Sequence, residues 1–173
     1  MTAAFVHRLK EMIYVAVKDA YSAITAPYSE TGTWDVEKFN DVVAHLEART
    51  GRTPLVLGTR KALRKVTPTY IGELSKEDRN KKGFFDTVDG ITFGVIPQAH
   101  KVGTTDFAID DDFLLIIPQG EDERIVKVVT EGETLVKETL GQANADDSQE
   151  YTVRKKLGVA VVSSTQFGIY ILQ

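Results

Sequence analysis

The densest set of ligand-type side chains in this sequence is Asp110-Asp111-Asp112, and carboxylates are what a hard cation such as calcium would need. Neighbouring residues of a strand point to opposite faces, so three in succession converge on one ion only if the backbone turns there. The glycine and the distal glutamate of a calcium loop are missing, and the run reads as a solvated lead-in to the apolar strand that starts at Phe113. Gly58-Thr59-Arg60-Lys61 lacks the upstream glycine and the terminal Lys-Ser/Thr pair of a phosphate loop. Ser163-Ser164-Thr165 offers hydroxyls without a base nearby, which suits a turn between strands. No GxGxxG follows a strand, and neither HExxH nor GxSxG occurs. His7, His45 and His100 are far apart and lack ligand spacing, and the absence of cysteine removes thiolate nucleophiles, thiolate metal sites and disulfides together. No catalytic residue, cofactor site or metal site is therefore assigned.

What remains is charge. The segment TPLVLGTRKALRKV, Thr53 to Val66, sets Arg60, Lys61, Arg64 and Lys65 within six residues and includes no acid among them. It sits in a basic stretch, Arg49 to Lys82, of ten basic residues against three acids. From Asp106 to Glu123 the chain holds seven acids and no base, so the net charge of −4 conceals a division. Two solvated surface regions would account for it. The functional alternative is complementarity between copies, which fixes register and suppresses wrong partners. In that case Arg60, Lys61, Arg64 and Lys65 make intersubunit contacts opposite Asp110, Asp111 and Asp112 of a neighbour. Nucleic acid is a poorer partner: the basic stretch lacks interleaved aromatics and a base-reading helix, so contact with DNA would be weak, sequence-blind and salt-sensitive.

Several elements must position these residues. Ala4 to Thr25 predicts a long amphipathic helix, with Val6, Leu9, Ile13, Ala16, Ala20 and Ile24 on the apolar side and His7, Glu11, Tyr14, Lys18 and Ser22 on the wet side. Ala26-Pro27 ends it. A second helix runs from Asp35 to Arg49, with Asp35 as N-cap, Trp34 and Phe39 as a hydrophobic staple, and Gly51 as C-cap. Leu55 to Leu57 then forms a buried strand, and Thr59 to Val66 a helix that keeps Ala62, Leu63 and Val66 inside. Pro68 to Asp89 reads as a surface excursion with one short helix.

Beyond it, Ile91 to Ile96 and Phe113 to Ile117 are strands closed by prolines, and the run Leu114 to Ile117 implies burial on both faces. Arg124 to Val129 and Glu133 to Leu140 flank Thr130-Glu131-Gly132 as a hairpin. A polar loop covers Gly141 to Glu150, and Tyr151 to Val162 and Phe167 to Leu172 are the last strands. At 173 residues, 42% of them hydrophobic, the chain can bury a core and is most simply one domain. It has no apolar run of membrane-spanning length and no signal-peptide pattern, so no membrane partner is expected. The fold class is α+β, with helices covering a largely antiparallel sheet.

This order of segments resembles the major capsid proteins of tailed bacteriophages. The likeness rests on the two helices, TPLVLGTRKALRKV, ITFGVIP and the closing EYTVRKKLGVAVVSSTQFGIYIL. It implies the HK97-type capsid fold, with Ala4 to Thr25 as spine helix. Residues 1–27 and 124–163 would then form a peripheral subdomain, and 28–123 and 164–173 an axial one. The implied function is that of a subunit of a phage or prophage icosahedral capsid. It would be assembled in the bacterial cytoplasm and self-associate into hexamers and pentamers that enclose DNA, with scaffold and portal proteins as further partners and no enzymatic turnover. Family members carry an N-terminal arm and an extended loop ahead of the spine helix. Here only Met1-Thr2-Ala3 precede it, which reads as a truncated chain or a reduced relative and predicts a monomer or small ring from this sequence alone. Some members cross-link a lysine of that loop to an asparagine; Asn144 lies in a loop of roughly the right place, but without the lysine-bearing loop that chemistry is not expected. Two alternatives are an encapsulin-like shell protein around an enzyme cargo and, from another class, a small α+β ligand-binding module or enzyme. The latter requires convergent polar groups that the sequence does not supply.

Overall fold

The computed structural model describes residues 2–101, 103–120, 125–139, 150–162 and 166–173. The turn expected at Ser163 to Thr165, most of the polar loop with Asn144, and the acids Glu121, Asp122 and Glu123 lie outside these residues. The elements are α1 (Thr2–Tyr21), β1 (Ser29–Gly32), α2 (Val36–Thr50), β2 (Pro54–Gly58), α3 (Arg60–Leu63) and α4 (Glu73–Lys82). They continue as β3 (Thr87–Val88), β4 (Ile91–Val95), β5 (Phe113–Pro118), β6 (Val126–Thr139), β7 (Glu150–Val161) and β8 (Gly168–Leu172). The class is α+β as expected, but the six-stranded sheet is mixed. Its order is β1-β8-β5-β2-β4-β3, with β1 parallel to β8 and β2 parallel to β4. The long excursion between β2 and β4 supplies the crossover that parallel neighbours require, and β1 reaches its parallel neighbour β8 only after all the other strands.

One face of this sheet is closed by α2 and α3. Phe39, Val42, Val43 and Leu46 of α2 meet Val56, Phe93, Leu114, Ile116, Tyr170 and Leu172 of the strands in one buried cluster. Asp35 caps α2, its carboxylate accepting from Glu37 N at 2.9 Å, and Gly51 ends the helix with φ of 67°. The staple forms as predicted, with Trp34 and Phe39 ring centroids 5.0 Å apart. The Tyr170 hydroxyl, pushed up in pKa chiefly by burial, donates to Thr33 O at 2.9 Å and accepts from Asp35 N at 3.1 Å. It thereby ties β8 to the entrance of α2.

Several boundaries moved for identifiable reasons. The first helix ends at Tyr21, because Ala23 N and Ile24 N bond three residues back, to Ala20 O and Tyr21 O, and tighten the last turn. Likewise α3 stops at Leu63, where Lys65 N and Val66 N turn to Ala62 O and Leu63 O; Ala62, Leu63 and Val66 are buried as expected. The excursion is not wholly superficial. Gly83, at φ 85°, caps α4 and turns the chain back, so Phe84, Phe85 and Val88 enter the main core. The Thr130-Glu131-Gly132 hairpin does not exist. There β6 runs through with a register shift between Glu131 and Leu135, where Gly132 adopts φ 72°, and the whole strand pairs with β7. The resulting two-stranded ribbon is separate from the larger sheet.

The other face of the six-stranded sheet is covered less completely. Tyr14 and Val17 of α1 are buried, with the Tyr14 ring 5.5 Å from that of Phe113, in a small second cluster with Ile109 and Ile169. Leu114 and Ile116 point to the closed face and are fully buried, whereas Leu115 and Ile117 point to the α1 face and are only partly so. Burial on both faces, expected from the apolar run, is therefore complete on one side only.

Candidate assembly surface

The basic helix and the aspartate run meet within one subunit. Lys61, Lys65, Phe107, Ile109, Asp110, Asp111 and Asp112 line a single groove of about 360 Å³. Lys61 Nζ stands 3.6 Å from an Asp111 carboxylate oxygen, and the other oxygen accepts from Gln98 Nε2 at 3.2 Å. Asp110 turns instead toward α1, accepting from the Tyr14 hydroxyl at 2.6 Å and from Lys18 Nζ at 2.5 Å. These bonds, Lys18 first and Tyr14 second, hold the Asp110 carboxyl below the usual carboxylate range. Conversely Asp110 raises Lys18, and burial followed by Asp110 raises Tyr14. Asp112 is exposed.

Arg60 and Arg64 face the other way, toward α4. The Arg60 guanidinium donates to Lys82 O at 3.2 Å, and a side chain on Gly83 would come within 3.7 Å of Arg64. Both cations thus sit at the C-terminal end of α4, where unpaired carbonyls and the helix dipole favour positive charge. Much of the basic stretch is engaged inside the chain in the same manner. Arg49 lies over the Tyr28 ring, Arg79 over Phe85, Lys81 beside Glu77 and Lys82 against Asp86. Asp86 is accordingly held below the usual carboxylate range by Lys82.

Sequence reasoning missed Tyr14 and Lys18 as partners of Asp110. Their signal was a polar-tipped pair four residues apart on one helical stripe, assigned to solvent. Tyr14 lays its ring on Phe113 and sends only the hydroxyl outward, as amphipathic side chains do. A cleft of about 420 Å³ between α1, β5 and the base of the ribbon was also unforeseen. Ile13, Val17, Leu57, Leu115, Ile117 and Val126 are among its lining residues, and Lys10 is its one charged group among the described residues. Such a lining packs apolar atoms and offers no acid–base pair. Nor do the described residues hold a cluster of three or more potential metal ligands.

The chain superposes on the encapsulin in the cryoEM structure of the holo-SrpI encapsulin complex from Synechococcus elongatus PCC 7942, a shell protein of the HK97 fold, with a TM-score of 0.57. Identity is 10%, and the match covers 97% of this chain and 61% of that one, so the chain spans about three fifths of the encapsulin's length. Comparison with curated proteins found no match. A family model described as "SPbeta prophage-derived putative capsid protein YonB" matches residues 1–171, and the chain belongs to that family. Its role is structural and not enzymatic, that of a capsid-like shell protein.

Proposed function

We propose that the chain is a building block of a phage or prophage icosahedral capsid, whose copies meet as hexamers and pentamers and enclose DNA. The observation that carries this reading is a shell-protein fold over 97% of a chain that belongs to a capsid family. In it α1 is the spine helix, which with residues 124–163 makes a peripheral subdomain, and residues 28–123 and 164–173 make the axial one. Scaffold and portal proteins are the further partners, assembly takes place in the bacterial cytoplasm, and DNA is touched only by weak, non-specific contacts. Of the charged groups first singled out, the exposed Arg60, Lys61, Arg64 and Lys65 and the run Asp110 to Asp112 are proposed to border neighbouring subunits. Exposed pairs are worth about 0–1 kcal/mol each, so they would act on register more than on affinity.

Expression of the complete gene product followed by negative-stain electron microscopy tests the proposal. Closed shells are expected, and a product that stays monomeric would overturn it. Charge reversal at Arg64 and Lys65 should shift the salt dependence of assembly; an unchanged dependence would remove α3 from the contact. The encapsulin likeness favours a second reading, a shell around a protein cargo. Purified shells that contain protein and no nucleic acid would select it.

A further inference from the structure

The two charged stretches of the sequence largely meet partners inside the subunit, and two other surfaces keep an excess of one sign. The first is the open face of the β6–β7 ribbon. Residues directly opposite each other share a face, and β7 alternates without interruption. One face therefore carries Lys127, Lys137, Arg154 and Lys156 against two carboxylates, Glu150 and Glu131, the latter 3.6 Å from Lys156 Nζ. Along β7 the residues of this face, Arg154, Lys156, Gly158 and Ala160, are exposed, while Leu157, Val159 and Val161 of the other face are partly buried on the side of α1. Between the cations Val129 and Leu135 stand 60% and 62% exposed, and Gly158 and Ala160 add no bulk, so the face is flat, basic and partly apolar.

The second surface surrounds the first half of α2. Glu37 and Asp41 are exposed one turn apart. Asn40 Nδ2 donates to Asp89 at 3.1 Å, and Lys38 pairs with Glu30 at 2.6 Å, which draws both carboxylates to the same place. With the capping Asp35 this patch holds five carboxylates to one cation. The following turns expose Ala44 and Ala48, which leave α2 smooth enough to lie against a sheet.

We infer that the open ribbon face of one copy receives the acidic side of α2 of a second copy. This rests on the shell reading, which makes other copies the abundant partner, and on a complementarity of four cations to two carboxylates against five carboxylates to one cation. The contact is head-to-tail, because the surfaces that meet differ, and such contacts generate rings when the rotation closes. Opposed charges set the register, and Val129 and Leu135 are covered in the process.

Sedimentation velocity on the full chain at sub-millimolar concentration and low salt tests this with two variants, Arg154→Glu with Lys156→Glu, and Glu37→Lys with Asp41→Lys. The parent chain should self-associate. Each variant alone should associate at least tenfold more weakly, because the first makes both surfaces acidic and the second leaves the α2 patch with no net charge to meet the basic ribbon. An equimolar mixture of the two should regain association, since each supplies the surface that the other lacks, and no folding defect can imitate that recovery. A monomeric parent, or variants that associate as the parent does, would overturn the inference. So would a ribbon variant that loses only binding to a DNA duplex, which would make the face a nucleic-acid contact. Shells in the electron microscope alongside unaffected variants would refute this contact and leave the capsid reading standing.

Discussion

The six-stranded sheet with α2 and α3 and the limb formed by α1 and the ribbon are made from similar residues and finished to different degrees. In the first, Leu46, Val56, Leu114, Ile116 and Tyr170 are fully enclosed, and the charged rim is engaged by capping, helix-end contacts and ion pairs. In the second, α1 exposes Phe5, Val6 and Val15, and the ribbon exposes Val128, Val129, Leu135 and Val162. The sheet side exposes Tyr70, Ile71 and Phe107 in loops. The sheet with α2 and α3 encloses its apolar side chains within the subunit, whereas the limb leaves part of its own exposed, the part that the shell reading would have a neighbouring copy cover.

The largest effect that would test this contrast is core truncation. Leu114→Ala should cost about 2–5 kcal/mol in chemical denaturation, while Val129→Ala should stay within about 0.5 kcal/mol. Equal costs would break the comparison. Next come the glycines. A Cβ on Gly58 would stand 2.8 Å from a Leu114 methyl carbon and 3.4 Å from Phe113 O, so Gly58→Ala should lose about 1–3 kcal/mol through overpacking. Gly158 of the ribbon has nothing within 4 Å of that position, and Gly158→Ala should be neutral or slightly stabilising in the same measurement.

Smaller is the effect at the tie between limb and sheet. Tyr14→Phe removes the hydroxyl that donates to Asp110 and should cost about 1 kcal/mol, because the bond is partly solvated. Amide exchange should accelerate in α1 before β5, and uniform acceleration would show that the two regions open together. Least is the effect of acid on the same tie. The Asp110 carboxyl is held down by Lys18 and then Tyr14, so its contribution is present above its unfolded value of about 3.9 and is lost as pH falls through the lower folded value. Since Lys18 and Asp110 are each nearly half exposed, solvent screens the pair, and the change should be a small loosening of α1 by hydrogen exchange below about pH 4. An α1 that loosens already at neutral pH would remove Asp110 as its anchor.

Local signals in the sequence were legible wherever one residue type has one good position. Asp35 and Gly51 act as caps, and the Trp34–Phe39 staple forms. The candidate surface was legible only as a charge inventory. Which cation meets which acid depends on chain segments dozens of residues apart, and linear counting could not reveal that Lys61 stands beside Asp111 of its own chain. The same blindness assigned Tyr14 to solvent and mistook the Gly132 irregularity for a turn, since a bulge and a hairpin share their residue preferences.

By itself the sequence determined the class, the helices, the main strands, and the absence of reactive motifs, because these follow from short-range pattern and residue chemistry. The tertiary structure alone decided that two strand pairs are parallel and that the opposed charge stretches partly satisfy each other within one subunit. Among the described residues it also left a basic excess on the ribbon face and an acidic excess on the side of α2. Those outcomes depend on long-range packing, in which Coulomb and apolar contacts form between whichever elements the topology brings together.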